Sequence, residues 1–356
     1  MSVIDFTHEQ LPGRIVFGAG RRRDAPAEIG ALDATGVLIV GGTHDTDTIS
    51  GLADALAIPA ETIIGVRPHV PADTVNAALA LFDRFAPNVV VAVGGGSATG
   101  LGKMIALERD VTLVAIPTTY AGSEMTPIWG TTDNGVKQTG RSLRVLPRVV
   151  VYDPELTVGL PKSVTVNSAF NALAHCVEAL WLPDTSPITA EAAISAIRAI
   201  TESLDDVVER LDDVDARARL LYGAHRAGSV LTAAGTGLLH KTAHVLGGMF
   251  DLDHGAMYAV LTPHMVGYHS DQNPDLDELL TSALGPDPRH ALDDLAVRLS
   301  APRSLVDIGF PVDATATAIQ AVAHHAGVSI DEIEHLLAVA ISGHPTPSHH
   351  IAQRRA

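Results

Sequence analysis

Five side chains that can bind cations or move protons recur at regular spacing in the second half of the sequence. Asn171 and His175 are four residues apart, as are His240 and His244, and His254 follows in a loop-like DLDHG segment. Residues four apart lie on one face of a helix, so each pair can face a common site. Three imidazoles can hold a divalent cation, whereas a neutral amide oxygen is a weaker ligand than a carboxylate. The same imidazoles can donate or accept protons near neutral pH.

A glycine-rich turn in the first half indicates a site for a nucleotide phosphate. The segment VVVAVGGGSATGLGK reads as a strand, a turn at Gly94, Gly95 and Gly96, and the start of a helix that Ser97 can cap. Glycines let backbone N–H groups approach a phosphate, and the helix dipole favours an anion there. A simple tight turn is the alternative, since the spacing is not that of the Rossmann motif.

The elements that must position these residues differ between the two halves. Short apolar runs at Val37–Val40, Val89–Val93, Val111–Ile116 and Val149–Tyr152 predict buried strands, and Asp73–Arg84 has helical spacing. Strands separated by helices favour a doubly wound parallel sheet.

Strand signals largely end after Asp153-Pro154, and helical spacing continues. The predicted helical segments are residues 167–182, 187–211, 316–322 and 330–341. We therefore predict an α/β N-terminal domain, residues 1–157, followed by an all-α C-terminal domain, residues 158–356.

Composition and charge restrict the classes of partner. The net charge of −17 argues against a nucleic-acid partner, but local cations can still bind a small anionic substrate. No apolar segment approaches the roughly 20 residues of a membrane span, and the N-terminus lacks a signal-peptide pattern. The single cysteine, Cys176, excludes an intrachain disulfide. We expect a soluble, cytoplasmic protein with no membrane partner.

Several words of the sequence together resemble the iron-containing alcohol dehydrogenase family, which has the dehydroquinate synthase-like fold. Gly94–Ser97 and Lys103 match the family word GGGSxxDxxK, with Gly100 at the Asp position. Pro117–Glu124 matches the family's Pro-Thr-Thr word but is one residue shorter. Both departures, and the segments EMTPIWG and TGRSLRVLP, are similar to the maleylacetate reductases, a branch of this family.

The resemblance implies roles for the residues introduced first. The family places Asp, His, His and His around one divalent ion at the positions of Asn171, His175, His240 and His254, and His244 matches a histidine beside the substrate. An Asn in place of the Asp is similar to the maleylacetate reductase branch, which is thought to work without metal. We therefore expect no metal, and these four residues as ligands if one binds.

The resemblance also implies a reaction. It is the reduction of the conjugated C=C bond of maleylacetate to 3-oxoadipate, during the degradation of aromatic compounds. The resemblance places the active site in the cleft between the two domains and implies that the protein is a homodimer. We expect His244 to donate the proton, and His175, His240 and His254, as rings that can protonate, to contact the enolate oxygen and the carboxylates.

Three further residues are predicted substrate contacts: Lys241, Arg141 and Tyr120. Surface cations are the alternative reading of Lys241 and Arg141.

The reductant implied by the resemblance is NADH or NADPH. The residues that the family places near this cofactor are Thr118, Thr119, Lys137 and Leu156, with Gly42 and Thr43 after the first predicted strand. Since an acid at that last position selects NADH in the family, its replacement by Gly42-Thr43 predicts that NADPH is tolerated, unless the nearby Asp45 takes over the role. A solvated loop lysine is the alternative for Lys137.

Three other functions stay open at this point. One is a metal-dependent alcohol or aldehyde oxidoreductase in which Asn171 is a weak ligand. Another is a nucleotide-binding protein without catalysis, and a third is a lyase-type synthase that uses NAD transiently.

Overall fold

The computed structural model describes residues 6–68, 70–133 and 136–343, and it leaves aside the side chains of Thr132, Asp133, Val136 and Lys137. Two compact units make up this part of the chain. The sheet unit comprises residues 10–160 and 212–221, and the helical unit comprises residues 6–9, 161–211 and 222–343. Residues 212–221 thus group with the sheet unit, although they come after the predicted domain boundary at residue 157. The cleft site between two domains stays a prediction.

The sheet unit contains a six-stranded parallel sheet and a separate antiparallel pair within the described residues. In chain order the strands are β1 (Arg14–Phe17), β2 (Val37–Gly41), β3 (Ala60–Ile64), β4 (Val89–Gly94), β5 (Thr112–Pro117), β6 (Ile128–Asp133), β7 (Val136–Arg141) and β8 (Val149–Tyr152). The order in the parallel sheet is β1-β8-β5-β4-β2-β3, and β6 pairs with β7. All four predicted strands are confirmed as β2, β4, β5 and β8.

Both faces of the parallel sheet are covered, which explains why its central strands are apolar throughout. Val37, Ile39 and Val91 belong to one buried cluster, while Leu38 and Val90 belong to another on the opposite face. The helices of the sheet unit are α1 (Ala25–Gly30), α2 (Thr46–Ala55), α3 (Ala72–Phe85) and α4 (Gly96–Glu108). Residues of α1 and α2 join the first cluster, and residues of α3 and α4 join the second, so the predicted doubly wound sheet is confirmed.

The strand order changes direction between β2 and β4. From β2 the chain crosses to β3 on one side and then returns to β4 on the other side. In open parallel sheets, ligands bind outside the carboxyl ends of the strands at such a switch point. Here those ends are Gly41 and Gly94, so the fold places the glycine-rich turn at this crevice.

Helices and 3-10 turns are the only regular secondary structure in the described part of the helical unit, as the sequence predicts. The helices are α5 (Lys162–Ala179), α6 (Pro187–Glu209), α7 (Val214–Ala234), α8 (Leu238–Phe250), α9 (His254–Gln272), α10 (Pro274–Leu284), α11 (Pro288–Leu299), α12 (Thr315–Ala326) and α13 (Ile330–Ser342), with the start of α7 counted in the sheet unit. Pro187 occupies the first turn of α6 as predicted, but Leu211 lies beyond its end and is exposed. No helix in the described ranges combines the length and apolarity that crossing a bilayer requires.

Candidate active site

The histidines singled out by their spacing lie together in the helical unit. His175 is on α5, His240 and His244 are on α8, and His254 begins α9. The ring centroids of His175 and His240 are 4.6 Å apart and those of His244 and His254 are 5.3 Å apart, and both pairs are stacked. His240 meets His244 edge to face at 6.3 Å. The four rings form one continuous group, which we call the histidine cluster.

Exposure divides the histidine cluster into two ends. His175 and His240 are only 6% and 2% exposed and form the inner end. His254 is half-buried and His244 is exposed, and these two form the outer end. Asn171, one turn before His175 on α5, is half-buried. Solvent therefore reaches the outer end of the cluster and not the inner end.

A buried carboxylate that the sequence analysis missed anchors the inner end. Glu178 is 1% exposed, and its Oε2 atom is hydrogen-bonded to Nδ1 of His240. Nε2 of His240 lies 2.6 Å from Nδ1 of His175, so the three side chains form a hydrogen-bonded chain. The other oxygen, Oε1, accepts the backbone N–H of Leu239 at 2.7 Å. Glu178 is three residues after His175, a spacing that places both on one face of α5 and was visible in the sequence.

Burial also sets the charge at the inner end. Burial and the neighbouring histidines hold the pKa of His175 well below its usual value, which favours the neutral form of this ring. Burial alone raises the pKa of Glu178, but its interactions with His240 outweigh that effect and the pKa lies below its usual value. Burial raises the pKa of the Cys176 thiol, which argues against a thiolate nucleophile. The lowered pKa of His175 argues against the expectation that this ring protonates.

Tyr258, on α9, packs against three members of the histidine cluster. Its ring centroid is 4.8 Å from that of His240, 5.3 Å from that of His254 and 6.3 Å from that of His175. Burial and the Glu178 carboxylate raise the pKa of this phenol well above its usual value. Tyr258 is thus an uncharged aromatic neighbour whose ring restricts rotation of the imidazoles.

The donor set does not fit a metal ion in this arrangement. Within the described residues, no three His, Cys, Asp or Glu side chains are placed to hold a cation together. One ring nitrogen of His175 is hydrogen-bonded to one of His240, so these two atoms do not point together at a position that a cation could occupy. The neutral amide of Asn171 would add no charge to offset that of a divalent ion. Whether the protein works without metal stays a prediction.

The glycine-rich turn at the end of β4 fits a phosphate group. Gly94 has a φ of 137°, which disfavours any side chain, and Gly95 is the N-cap of α4. A Cβ atom on Gly95 would lie 2.9 Å from the side chain of Thr119, so a larger residue there would force Thr119 to move. Ser97 lies inside the first turn of α4, and the expectation that it caps the helix is wrong. The N–H groups of that turn are therefore available to an anion.

The carboxylate of Asp45 lies at the switch-point crevice. Asp45 ends the turn after β2, and its Oδ2 atom lies 3.1 Å from where a Cβ atom on Gly42 would be and 2.9 Å from that of Gly94. Burial raises the pKa of Asp45, although hydrogen bonds from Thr118 and Gly42 oppose the rise. Thr43 is exposed beside it. Asp45 thus lies where the alternative raised in the sequence analysis requires it, while Gly42 and Thr43 themselves supply no acid.

The other residues expected near cofactor or substrate have varied surroundings. Thr119 is half-buried beside the glycine-rich turn, whereas Leu156 packs against the hydrophobic core of the sheet. Lys137 is on β7, but its side chain lies outside the described residues. Arg141 is exposed at the end of β7, and the half-buried Lys241 has its Nζ atom 3.5 Å from the carbonyl oxygen of Ala326. The surroundings of these residues do not by themselves show which of them contacts the cofactor or the substrate.

Tyr120 cannot contact substrate or nicotinamide in this conformation. Its side chain is fully buried, and its hydroxyl lies 3.0 Å from Oγ1 of Thr157 and 3.1 Å from a guanidinium nitrogen of Arg217. Arg217 is also completely buried and donates to the carbonyl of Val158. Tyr120 therefore anchors the Pro-Thr-Thr segment within the sheet unit, which corrects its predicted role.

Lys103, the last residue of the GGGSxxDxxK word, has a structural role. Its Nζ atom donates to the carbonyl oxygens of Ser123 and Ile128, both at 2.7 Å, and to Oγ1 of Thr126 at 2.9 Å. Burial lowers its pKa to about 7. The lysine holds residues 123–128 next to α4 and so fixes the segment that follows Thr118 and Thr119.

Two family profiles match most of the chain. Residues 12–154 match the profile of iron-containing alcohol dehydrogenases, and residues 165–335 match that of the C-terminal part of the Fe-containing alcohol dehydrogenase family. A maleylacetate reductase from Burkholderia cepacia is 44% identical over 315 residues, which cover 86% of this chain and 88% of the relative.

Solved structures agree with these sequence matches. The crystal structure of maleylacetate reductase from Agrobacterium tumefaciens is similar with a TM-score of 0.91 at 38% identity, covering 95% of this chain and 99% of that one. A putative alcohol dehydrogenase from Ralstonia eutropha gives a TM-score of 0.92 at 38% identity, covering 95% and 98%.

Proposed function

The chain belongs to the iron-containing alcohol dehydrogenase family and is an oxidoreductase, and we propose that it reduces the conjugated C=C bond of maleylacetate to give 3-oxoadipate. The observation that carries the proposal is the histidine cluster beside Asn171, an amide at the position of the family's carboxylate ligand. The similarity to maleylacetate reductases from Burkholderia cepacia and Agrobacterium tumefaciens supports the same substrate.

The substrate needs little activation, because its alkene is already conjugated to a ketone. NADH or NADPH, when bound, supplies a hydride to the carbon β to that ketone, and negative charge collects on the enolate oxygen. The residues that would hold the cofactor are Gly94–Ser97, Thr118 and Thr119 at the switch-point crevice. Imidazole N–H donors in a half-buried site can stabilise the enolate without a Lewis acid.

The outer end of the histidine cluster is the more accessible source of those donors. Nitrogens of His175 and His240 are engaged with each other and with Glu178. We therefore assign the enolate contact to His254 and the proton donation to His244, which is exposed and can exchange protons with solvent. Lys241 and Arg141 are proposed partners of the two substrate carboxylates. This assignment moves the enolate contact away from the inner histidines.

The proposal includes no metal ion. A simple aldehyde needs strong polarisation of its carbonyl, which is the usual contribution of a bound cation, whereas a conjugated alkene does not. The engagement of His175 with His240 and the neutral amide of Asn171 support this choice. The alternative function is that of a metal-dependent alcohol or aldehyde oxidoreductase. Membership of the iron-containing alcohol dehydrogenase family supports this alternative.

We further propose a homodimeric, cytoplasmic enzyme of aromatic-compound degradation. The support is the family resemblance and the need for NADH or NADPH as reductant. Analytical ultracentrifugation measures the oligomeric state directly, and a monomer at micromolar concentration would contradict that part of the proposal.

An NADH-oxidation assay tests the central claim. Purified protein is offered maleylacetate and, separately, simple aldehydes, each with and without added Fe²⁺ or Zn²⁺. We expect turnover of maleylacetate without added metal and after chelator treatment. Faster turnover of aldehydes that depends on metal would favour the metal-dependent alternative, and cofactor binding without turnover of any keto acid would favour a non-catalytic protein.

A further inference from the structure

We propose that Arg217 is a positioning residue for the coenzyme, which fixes Tyr120 and thereby holds Thr118 and Thr119 beside the glycine-rich turn. The inference rests on the proposed function, because it takes that turn as the binding site for NADH or NADPH. Arg217 lies 97 residues after Tyr120 in the sequence and belongs to none of the sequence words near the turn.

The first step is the direction of the hydrogen bonds around Tyr120. A guanidinium group can only donate, so Nη1 of Arg217 donates to the hydroxyl oxygen of Tyr120 at 3.1 Å. The hydroxyl of Tyr120 in turn donates to Oγ1 of Thr157 at 3.0 Å, and the hydroxyl of Thr157 donates to the carbonyl oxygen of Pro154 at 2.9 Å. The three side chains therefore form one chain whose direction the guanidinium group sets.

The second step is the complete burial of this chain. Arg217, Tyr120 and Thr157 are each 0% exposed. Nη2 of Arg217 also donates to the carbonyl oxygen of Val158, at 3.4 Å. A buried guanidinium group requires hydrogen bonds to offset its removal from water, and no solvent reaches these atoms to replace a lost partner. The position of the Tyr120 hydroxyl therefore depends on Arg217 and Thr157.

The third step is the role of Tyr120 in its own segment. Residues 118–122 are all described and lie in no helix or strand. At one end of the segment, the N–H of Thr118 donates to the last carbonyl oxygen of β4 at 3.2 Å. Just beyond the other end, Lys103 donates to the carbonyl oxygen of Ser123 at 2.7 Å. Tyr120 lies between these two fixed points and is the aromatic residue that the segment buries.

The fourth step connects the segment to the coenzyme site. The side chain of Thr119 lies beside Gly95, the N-cap of α4, whose first N–H groups are the ones available to a phosphate. The hydroxyl of Thr118 is hydrogen-bonded to Asp45, which follows β2. Release of Tyr120 would free a segment that has no regular structure. Ordering that segment again on binding would then weaken the affinity for the coenzyme.

Two substitutions break the contact between Arg217 and Tyr120 from opposite sides. Tyr120→Phe removes only the hydroxyl, and Arg217→Met removes the guanidinium group while keeping a long apolar side chain. The double variant replaces both partners by apolar groups. Tyr268→Phe is the matched control, because it removes a buried-end phenol hydroxyl that donates to Glu332, on α9 of the helical unit.

Isothermal titration calorimetry of the full-length protein with NADH gives both the Kd and the fraction of protein that binds. We expect each single variant to raise the Kd by about tenfold at an unchanged binding fraction. The double variant should show about the same tenfold rise, because both residues act through one contact. Tyr268→Phe should keep the wild-type Kd.

Three outcomes would overturn the proposal. One is a wild-type Kd in the single variants with a smaller binding fraction, which a purely structural role predicts. The second is a rise of about a hundredfold in the double variant, which would mean that the two residues act independently. The third is a wild type that binds neither NADH nor NADPH. If Arg217→Met does not fold, Tyr120→Phe, which lacks a single oxygen atom, decides the question.

Steady-state kinetics separate this inference from the proposed function. With maleylacetate as substrate, KM for NADH should rise by about tenfold in Tyr120→Phe, while kcat stays within about twofold of the wild-type value. A fall in kcat at unchanged KM would count against a role in coenzyme binding. If the wild type binds NADH but does not reduce maleylacetate, the proposed function fails, and the Kd values still decide the role of Arg217.

Discussion

Gly255, the second residue of α9, lies so close to Asn167 on α5 that a Cβ atom would come within 2.7 Å of the Asn167 carbonyl oxygen. Asp253 caps α9 by accepting the N–H of Ala256 at 2.7 Å, and it also accepts the side-chain amide of Asn167 at 3.1 Å. These contacts fix His254, which starts α9, beside α5. Since Asn171 is one turn further along α5 than Asn167, it lies on the face of α5 that contacts the start of α9.

Asn171→Asp is expected to raise the affinity for Zn²⁺ or Fe²⁺. The substitution adds a negatively charged oxygen one turn before His175 on the same face of α5, and a carboxylate is a stronger ligand for a divalent ion than an amide oxygen. A gain on the order of tenfold corresponds to ~1.4 kcal/mol, a modest demand for a charged ligand. Isothermal titration calorimetry and elemental analysis of protein purified without chelator measure the change.

Asn171→Gln is the matched control, because it keeps a neutral amide at the same position. Its metal affinity should stay at the wild-type level. Equal metal content in the Asp and Gln variants would show that residue 171 does not face a potential cation site.

His244→Ala is expected to lower kcat for maleylacetate by on the order of a hundredfold, with a much smaller effect on the Kd of NADH. His244 is the exposed member of the histidine cluster and the assigned proton donor. Stopped-flow turnover and fluorescence titration of NADH give the two quantities. His290→Ala, which removes an exposed histidine from α11 of the same unit, should retain wild-type values. Parallel losses of turnover and NADH affinity would instead indicate a folding defect.

The central strands could be predicted from the sequence because burial on both faces leaves them almost purely apolar. The edge strands β1 and β3 could not, since each has only one neighbour in the sheet and tolerates exposed polar residues such as Arg14 and Glu61. The β6–β7 pair was also missed, because its Thr and Gly residues do not mark a buried strand. Burial pattern, rather than intrinsic propensity, decides which strands the sequence reveals.

The candidate site shows the same division. Spacing on α5 and α8 was enough to group the histidines, and the same argument applied to Glu178 would have added it. The burial of Tyr120 depends on Arg217, which is distant in sequence and becomes its partner only through the tertiary fold. The contact of the Asp45 carboxylate with Gly42 depends on a tight turn, and the sequence does not specify the backbone path of that turn.

His264→Gln is expected to reduce the loss of stability in acid. Burial lowers the pKa of His264 to about 4, with Arg289 and Arg303 adding to the effect. Between the ordinary pKa of about 6.5 and this value, the unfolded chain binds a proton that the folded chain does not. Stability from this group is therefore complete above about pH 6.5 and falls as the pH drops toward 4, by at most about 1.4 kcal/mol per pH unit.

Urea unfolding followed at several pH values from 7 to 4.5 measures that slope for each protein. The difference between wild type and His264→Gln isolates the one histidine, because other titrating groups are common to both. His325→Gln, which removes an exposed ring from α12, should keep the wild-type slope. A slope in His264→Gln as steep as in the wild type would show that the buried ring does not drive the acid transition.

Asp45→Ala is expected to shift the coenzyme preference toward NADPH. The half-buried carboxylate lies beside Gly42 and Gly94 at the switch-point crevice. With the coenzyme bound there as proposed, it would disfavour an additional phosphate on the adenosine ribose. Removing it should raise the ratio of kcat/KM for NADPH to that for NADH by about tenfold, equivalent to ~1.4 kcal/mol. Asp47→Ala, which removes an exposed acid from the first turn of α2, is the control and should leave the ratio unchanged. If both variants kept the wild-type ratio, the discrimination would have to come from outside the β2 turn.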